Sequence, residues 1–202
     1  MKTYKVGENI LSVDLINDII SKDLKLSISS TAKKRIKSSK DYLNKKIKSA
    51  NDPIYGINTG FGSLYDQKIS KQDLSELQKN LVMSHACGVG EEVPCELVRL
   101  ILLLKIQSLS YGNSGVNLST IERLIEMYNE RVLPVIYEQG SLGASGDLAP
   151  LAHMSLPLLG LGEVDVPGVS NNGYYRRKNT SKVLKEFGWS ALNLESKEGL
   201  AL

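Results

Sequence analysis

The sequence predicts a mainly α-helical chain with one small β-hairpin. Three observations predict it. Apolar residues recur at three- and four-residue spacing over several long segments. Gly, Pro, Asn and Asp cluster between those segments as cap and turn signals. Strand-like alternation is confined to a stretch near 163–176. With 202 residues, 42% hydrophobic and 23% charged, and a mean hydropathy of −0.15, the chain has the composition of a soluble globular protein able to bury a sizeable core. Collagen-like, disordered and membrane-spanning classes are excluded, because the longest apolar run, 100–104, is far too short to cross a bilayer.

Residues 12–21 carry Val13, Leu15, Ile16, Ile19 and Ile20 and predict a short amphipathic helix. A lysine-rich helix follows over 30–49, starting at Ser30 or Thr31, with Ile36, Leu43 and Ile47 on one side. Asn51-Asp52-Pro53 breaks it, and 54–69, with Gly56, Gly60 and Gly62, reads as an ordered loop. Ser70 and Asp73 predict a capping box for a helix whose buried face holds Leu74, Leu77, Leu81 and His85. Gly88 and Gly90 end that helix. Pro94 opens a very apolar one, with Leu97, Leu100, Ile101, Leu104 and Leu109 as its expected core residues. Another helix is predicted from about 119 to 131. A glycine-rich segment at 140–150 precedes a buried helix at 151–160 that Pro157 kinks or shortens. Glu163-Val164-Asp165-Val166 and Tyr174-Tyr175-Arg176 flank Asn172-Gly173 as a hairpin, and Gly188 closes a last helix near 179–187.

Net charge is +3, but residues 22–48 hold ten Lys or Arg against two Asp. That stretch lacks aromatic interleaving apart from Tyr42, so a solvated helix face is expected rather than a nucleic-acid footprint. Cys87 and Cys95 match no zinc pattern and read as reduced thiols of a cytoplasmic protein; no metal is expected. The N-terminus has no apolar core behind its lysines, so no signal peptide is expected. The chain stops inside the apolar run Gly199-Leu200-Ala201-Leu202, which predicts a cut chain.

The segment carrying most chemistry is Gly140-Ser141-Leu142-Gly143-Ala144-Ser145-Gly146-Asp147-Leu148-Ala149-Pro150. No Lys-Ser or Lys-Thr follows its glycines, which excludes a phosphate-binding loop. Asp147 stands two after Ser145, which excludes a nucleophile elbow. A helix-entry loop capped by Ser145 or Asp147 is one reading. Ala-Ser-Gly also permits another. Glycine and alanine let the backbone fold on itself, so the Gly146 amide nitrogen can reach the Ala144 carbonyl carbon. Cyclisation with loss of water, then dehydration of Ser145, leaves a five-membered imidazolone with an exocyclic methylene, an electrophile that no ordinary side chain supplies.

Residues 143–154 resemble the signature of the histidine and aromatic amino-acid ammonia-lyase family, in which Ala-Ser-Gly becomes 4-methylideneimidazol-5-one (MIO). Tyr55-Gly56-Ile57-Asn58-Thr59-Gly60-Phe61-Gly62 resembles the family's tyrosine loop. Asn80-Leu81-Val82-Met83-Ser84-His85-Ala86-Cys87-Gly88 resembles its substrate-selecting helix, and Lys197-Glu198-Gly199-Leu200-Ala201-Leu202 the segment before an asparagine motif. The four blocks stand in family order from about residue 50 onward.

The resemblance implies an N-terminal, MIO-bearing portion of the family fold spanning 1–202, with its MIO region at 140–154 and the central helical bundle missing. It implies that Ala144, Ser145 and Gly146 form MIO autocatalytically, and that Tyr55 is the base that takes a β-proton. Because a free tyrosine has a pKa of about 10, such a base needs nearby positive charge or donors. By the same resemblance Ser84 and His85 select the substrate, Asn58 and Gly62 line the tyrosine loop, and Asp147 supports the MIO loop or caps the next helix. His153 reads as structural support for that loop. Ser-His is similar to the pair in histidine-using members, whereas His-Leu marks tyrosine and Phe-Leu phenylalanine lyases. Conversion of L-histidine to urocanate is therefore implied, in a homotetramer with neither membrane nor nucleic-acid partner. Tyrosine or phenylalanine lyases, aminomutases and a non-catalytic fragment stay open as alternatives.

Overall fold

A computed structural model of the chain describes residues 2–49, 52–70, 72–141, 146–168 and 175–202. Two short strands, β1 (Thr3–Val6) and β2 (Lys25–Ile28), pair in parallel through helix α1 (Val13–Ser21). Ser12 caps α1 by accepting the Leu15 amide. Helix α2 (Ser30–Ser49) buries Ala32, Ile36, Lys40 and Leu43 and turns its other lysines outward. After the loop at 52–70 come α3 (Leu74–His85), β3 (Val89–Glu92), α4 (Cys95–Ser110) and α5 (Leu118–Asn129). Then follow β4 (Leu133–Pro134), β5 (Tyr137–Gln139), α6 (Leu148–Ser155), β6 (Glu163–Pro167), β7 (Tyr175–Asn179), α7 (Thr180–Phe187) and α8 (Glu198–Ala201).

Helix α4 is the centre of the core. Val98, Leu102, Leu103, Ile106 and Leu109 are buried against Ile121, Leu124 and Tyr128 of α5 and against α2. Leu97 and Leu104, expected in the core, are 51% and 44% exposed. The run is apolar nearly all round, so its period cannot select an inner face; the neighbouring helices do.

Helix α3 corrects two expectations. The Ser70 hydroxyl donates to Asp73 Oδ2 at 2.7 Å and accepts the Asp73 amide at 3.3 Å, but this pair closes a turn, and the helix begins at Leu74. Its buried residues are Leu74, Gln78 and Val82 rather than the stripe running to His85. Gln78 is buried because its Oε1 accepts the Gly199 amide at 2.9 Å, a partner 121 residues away that local periodicity cannot register.

Strands β6 and β7 form the expected hairpin, Glu163 opposite Asn179 through Pro167 opposite Tyr175, and β4 adds a third strand. The predicted Asn172-Gly173 turn and Tyr174 lie outside the described residues. Pro157 sits in a 3-10 turn, Leu156–Leu159, that ends α6, as the proline requires. Gly188 closes α7 in the left-handed conformation. The pairs β1–β2 and β3–β5 escaped sequence reasoning. Strand β3 is exposed along its whole length and shows no alternation, and the Asn129 side chain, not a strand, meets the main chain of Leu26 in β2.

No helix among the described residues is long and apolar enough to cross a membrane.

Candidate active site

Five stretches far apart in sequence border one cavity of about 390 Å³, α4 among them. The loop at 52–70 contributes Tyr55, Phe61 and Gly62, and α3 contributes Leu81, Val82 and His85. Gly146 and Leu148 stand at the start of α6, and Leu200 and Leu202 close the cavity from the C-terminal segment.

The loop is held by its own polar residues. Asn58, 4% exposed, accepts the Ile54 amide through Oδ1 at 2.6 Å and donates through Nδ2 to the Asp52 carbonyl. Thr59, fully buried, accepts the Gly56 amide and donates to the Gly60 carbonyl. These bonds leave the Tyr55 ring free to project; it is 57% exposed and meets Phe61 edge-to-face at 5.9 Å between centroids. Gly56 has φ +70°, and a Cβ there would lie 2.5 Å from Leu200 Cδ2, so glycine is what lets the loop approach the C-terminal segment.

His85 is fixed by its helix. Its Nδ1 lies 2.8 Å from the Leu81 carbonyl oxygen, which can only accept, so Nδ1 carries the proton. In the neutral ring Nε2 is then an acceptor, and among the described residues it meets no hydrogen-bond partner. Ser84 donates to the same carbonyl at 3.0 Å, is exposed, and does not border the cavity.

Gly146 has φ +85°, and among the described residues no atom lies within 4 Å of the position a Cβ would take. Asp147 follows, also left-handed at φ 56° and ψ 49°, in the cap position of α6; its side chain makes no cap hydrogen bond. Ala144 and Ser145 lie outside the described residues. The structure thus brings Tyr55, Gly62, His85 and Gly146 together, places Asn58 beneath the loop, and leaves Ser84 and Asp147 off the cavity wall.

Three polar residues escaped sequence reasoning. Lys105 of α4 borders the cavity, and burial pushes its ammonium down to about 8 while Nζ donates to the Ala201 carbonyl at 3.0 Å. A lone cation inside the apolar run 100–106 was the available signal. Glu198, fully buried, accepts from the Asn117 amide, Asn117 Nδ2, Thr120 Oγ1 and the Glu195 amide. Together with Gln78 it seats the segment 198–202. No local pattern announces either residue, because their partners are distant in sequence. Among the described residues no group of three His, Cys, Asp or Glu can hold a metal ion.

The aromatic amino acid lyase family matches residues 11–202. A histidine ammonia-lyase of Caldanaerobacter subterraneus subsp. tengcongensis is 44% identical over all 202 residues, and the chain spans 38% of that relative's length. The crystal structure of histidine ammonia-lyase from Trypanosoma cruzi superposes with a TM-score of 0.83 at 35% identity, over 100% of this chain and 37% of that one. Tyrosine aminomutase from Streptomyces globisporus superposes with 0.84 at 33% identity, over 98% and 36%. The mainly helical fold with small sheets is the fold of these enzymes.

Proposed function

The chain belongs to the aromatic amino acid lyase family, and on that premise we propose that it supplies the MIO-bearing part of a histidine ammonia-lyase, which eliminates ammonia from L-histidine to give urocanate. The observation that carries the reading is the convergence of Tyr55, His85 and Gly146 on one cavity. The residues fit MIO: Ala144-Ser145-Gly146 has the required composition, and Gly146 borders the cavity in a backbone conformation that L side chains rarely adopt. When formed, that group supplies an electrophilic methylene that makes the substrate's amine nitrogen a good leaving group.

The chain's own residues do the rest. In this reading Tyr55, projected from a stapled loop, takes the β-proton at its phenolic oxygen. His85 offers Nε2 as acceptor to an imidazole N–H, and leaving either group unpaired in a buried site costs about 1–3 kcal/mol. Leu81, Leu148 and Leu200 present an apolar wall to the cavity. A phenylalanine ring would leave the His85 acceptor unmet, whereas a tyrosine phenol can donate to it, so the preference for histidine over tyrosine rests on the Ser84-His85 pair rather than on this bond. The 44% identity to a histidine ammonia-lyase supports the same choice. In this reading the remaining site residues come from the portion of the relatives that the chain does not span and from neighbouring subunits of a cytoplasmic homotetramer.

An amino-acid panel tests it. The whole enzyme converts histidine to urocanate and is nearly inert toward tyrosine and phenylalanine, and Ser145→Ala abolishes turnover with the fold retained. Near-normal turnover by Ser145→Ala, or a preference for phenylalanine, sinks the reading.

A further inference from the structure

Behind the cavity, three chain segments meet at a junction built on two glycines and one histidine. The Gly88 amide donates to His153 Nε2 at 2.9 Å. Nε2 is therefore unprotonated, and the neutral ring carries its proton on Nδ1. A Cβ on Gly88 would stand 3.0 Å from that same Nε2 and 3.2 Å from the Gln139 carbonyl oxygen. A Cβ on Gly140, whose φ is +126°, would stand 2.8 Å from the Gly88 Cα. Two backbones and an imidazole thus touch where any side chain would intrude. The Val89 to Gln139 pairing of β3 with β5 continues the contact, and the His153 ring, 8% exposed, packs edge-on against Tyr137 at 5.2 Å.

The junction's place in the chain gives it a consequence. Gly88 is three residues past His85. Gly140 leads into Ala144-Ser145-Gly146, and His153 lies in the helix that leaves it. The hydrogen bond ties the end of α3 to the flank after the 142–146 segment, and the close approach of Gly140 to Gly88 with the Val89 to Gln139 pairing ties it to the flank before. We propose that His153 is a positioning residue that sets those residues in register with His85, so that ring closure at Ala144-Ser145-Gly146 is promoted and the substrate meets both groups together. The proposal rests on the function proposed above. The covalent step is balanced without an oxidant. Gly146 N bonds to the Ala144 carbonyl carbon, whose oxygen leaves as water with the amide protons of Gly146 and Ser145. The Ser145 hydroxyl then leaves as a second water with the Ser145 α-proton. Fixing both flanks reduces the entropy lost on closure.

Protonating His153 would turn Nε2 into a donor facing a donor. Burial holds the ring's pKa below its ordinary value, which keeps the acceptor form. The titratable groups facing it are Tyr137 of β5 and Glu163 of β6, which share a small cavity with it, and Cys87 stands beside Gly88.

The test compares His153→Leu, which cannot accept the Gly88 proton, with His153→Gln, whose amide oxygen can. Both are made in the enzyme as its own reading frame encodes it. Amide exchange at Gly88, the rate at which newly made protein loses two waters, and kcat and KM are read. The expected result is exchange at Gly88 faster by roughly tenfold or more in His153→Leu, slower water loss and a raised KM, all restored in His153→Gln. Unchanged exchange, or faster exchange with water loss and KM as in wild type, overturns the positioning role. If His153→Leu does not fold, wild type decides, by acidification with the ring's own titration followed by exchange at its C2 carbon. Loss of Gly88 protection in step with the ring supports the proposal, and protection that outlasts the ring's titration overturns it. Wild type that loses no water removes the function and this inference together, whereas dehydrated wild type with indifferent variants removes the inference alone.

Discussion

Lys105 Nζ stands 3.0 Å from the main-chain carbonyl oxygen of Ala201, so a cation in the middle of the central helix holds the C-terminal wall of the cavity. Burial lowers its pKa from 10.5 to about 8. The unfolded chain therefore binds more protons than the folded one between those values, and stability rises with pH across that window. The cost at neutral pH is on the order of 3 kcal/mol. Lys105→Met, which keeps the volume, should unfold at higher urea than wild type at pH 7, with the gap closing as pH rises from about 8 to 10.5. A gap that does not change with pH would contradict the assignment.

Glu198 presents the opposite case, a buried carboxylate met by four donors. Glu198→Ala leaves those donors unpaired and should cost on the order of 3–5 kcal/mol in urea unfolding. Glu198→Gln should cost less, because one oxygen is kept while an NH2 now faces donors. Equal stability of wild type and Glu198→Ala would show that the segment 198–202 is not seated this way.

Gly56 carries φ +70° close against Leu200. Gly56→Ala should lose about 1–2 kcal/mol from the left-handed backbone alone, plus the displacement of Leu200. Because Tyr55 is its neighbour, kcat should fall further than that of an equally destabilising change in α2. Thermal melts paired with steady-state rates separate the two effects.

The Tyr55 hydroxyl makes no hydrogen bond to another described residue, so Tyr55→Phe should leave the melting temperature within a degree or two. If Tyr55 moves the β-proton, kcat falls by roughly 10²–10⁴-fold. His85→Leu should instead act through binding, raising KM for histidine by roughly 10- to 100-fold.

Asp23 bonds both Arg99, at 2.5 Å, and Arg131, at 2.6 Å. Burial alone would raise its pKa, but the two guanidinium groups outweigh it and hold the carboxyl below its ordinary value. This contribution is present above the unfolded pKa, near 3.9, and is lost as pH falls toward the folded value. Asp23→Asn should therefore be less stable than wild type at neutral pH and converge with it in acid, as paired urea titrations would read.

What the sequence made legible followed local physics. Gly188 and Pro157 act through their nearest neighbours, and each stands where cap and breaker rules place it. Tyr55, His85 and Gly146 were legible as motif residues, and the fold brings them to one cavity. What escaped depended on distant partners. Gln78 is buried because of Gly199, Lys105 is tied to Ala201, and β3 pairs with β5 across 44 intervening residues or more. The face of α4 was illegible for a different reason: a helix apolar nearly all round carries no clear stripe to read.

MIO formation is read most directly from the mass of the proteolytic peptide spanning Ala144-Ser145-Gly146, taken from the protein as its own cell makes it. Cyclised protein gives a peptide lighter than its encoded mass by two waters, with the loss confined to those three residues and absent in Ser145→Ala. A peptide at its full encoded mass, from protein that turns over histidine, would contradict MIO formation.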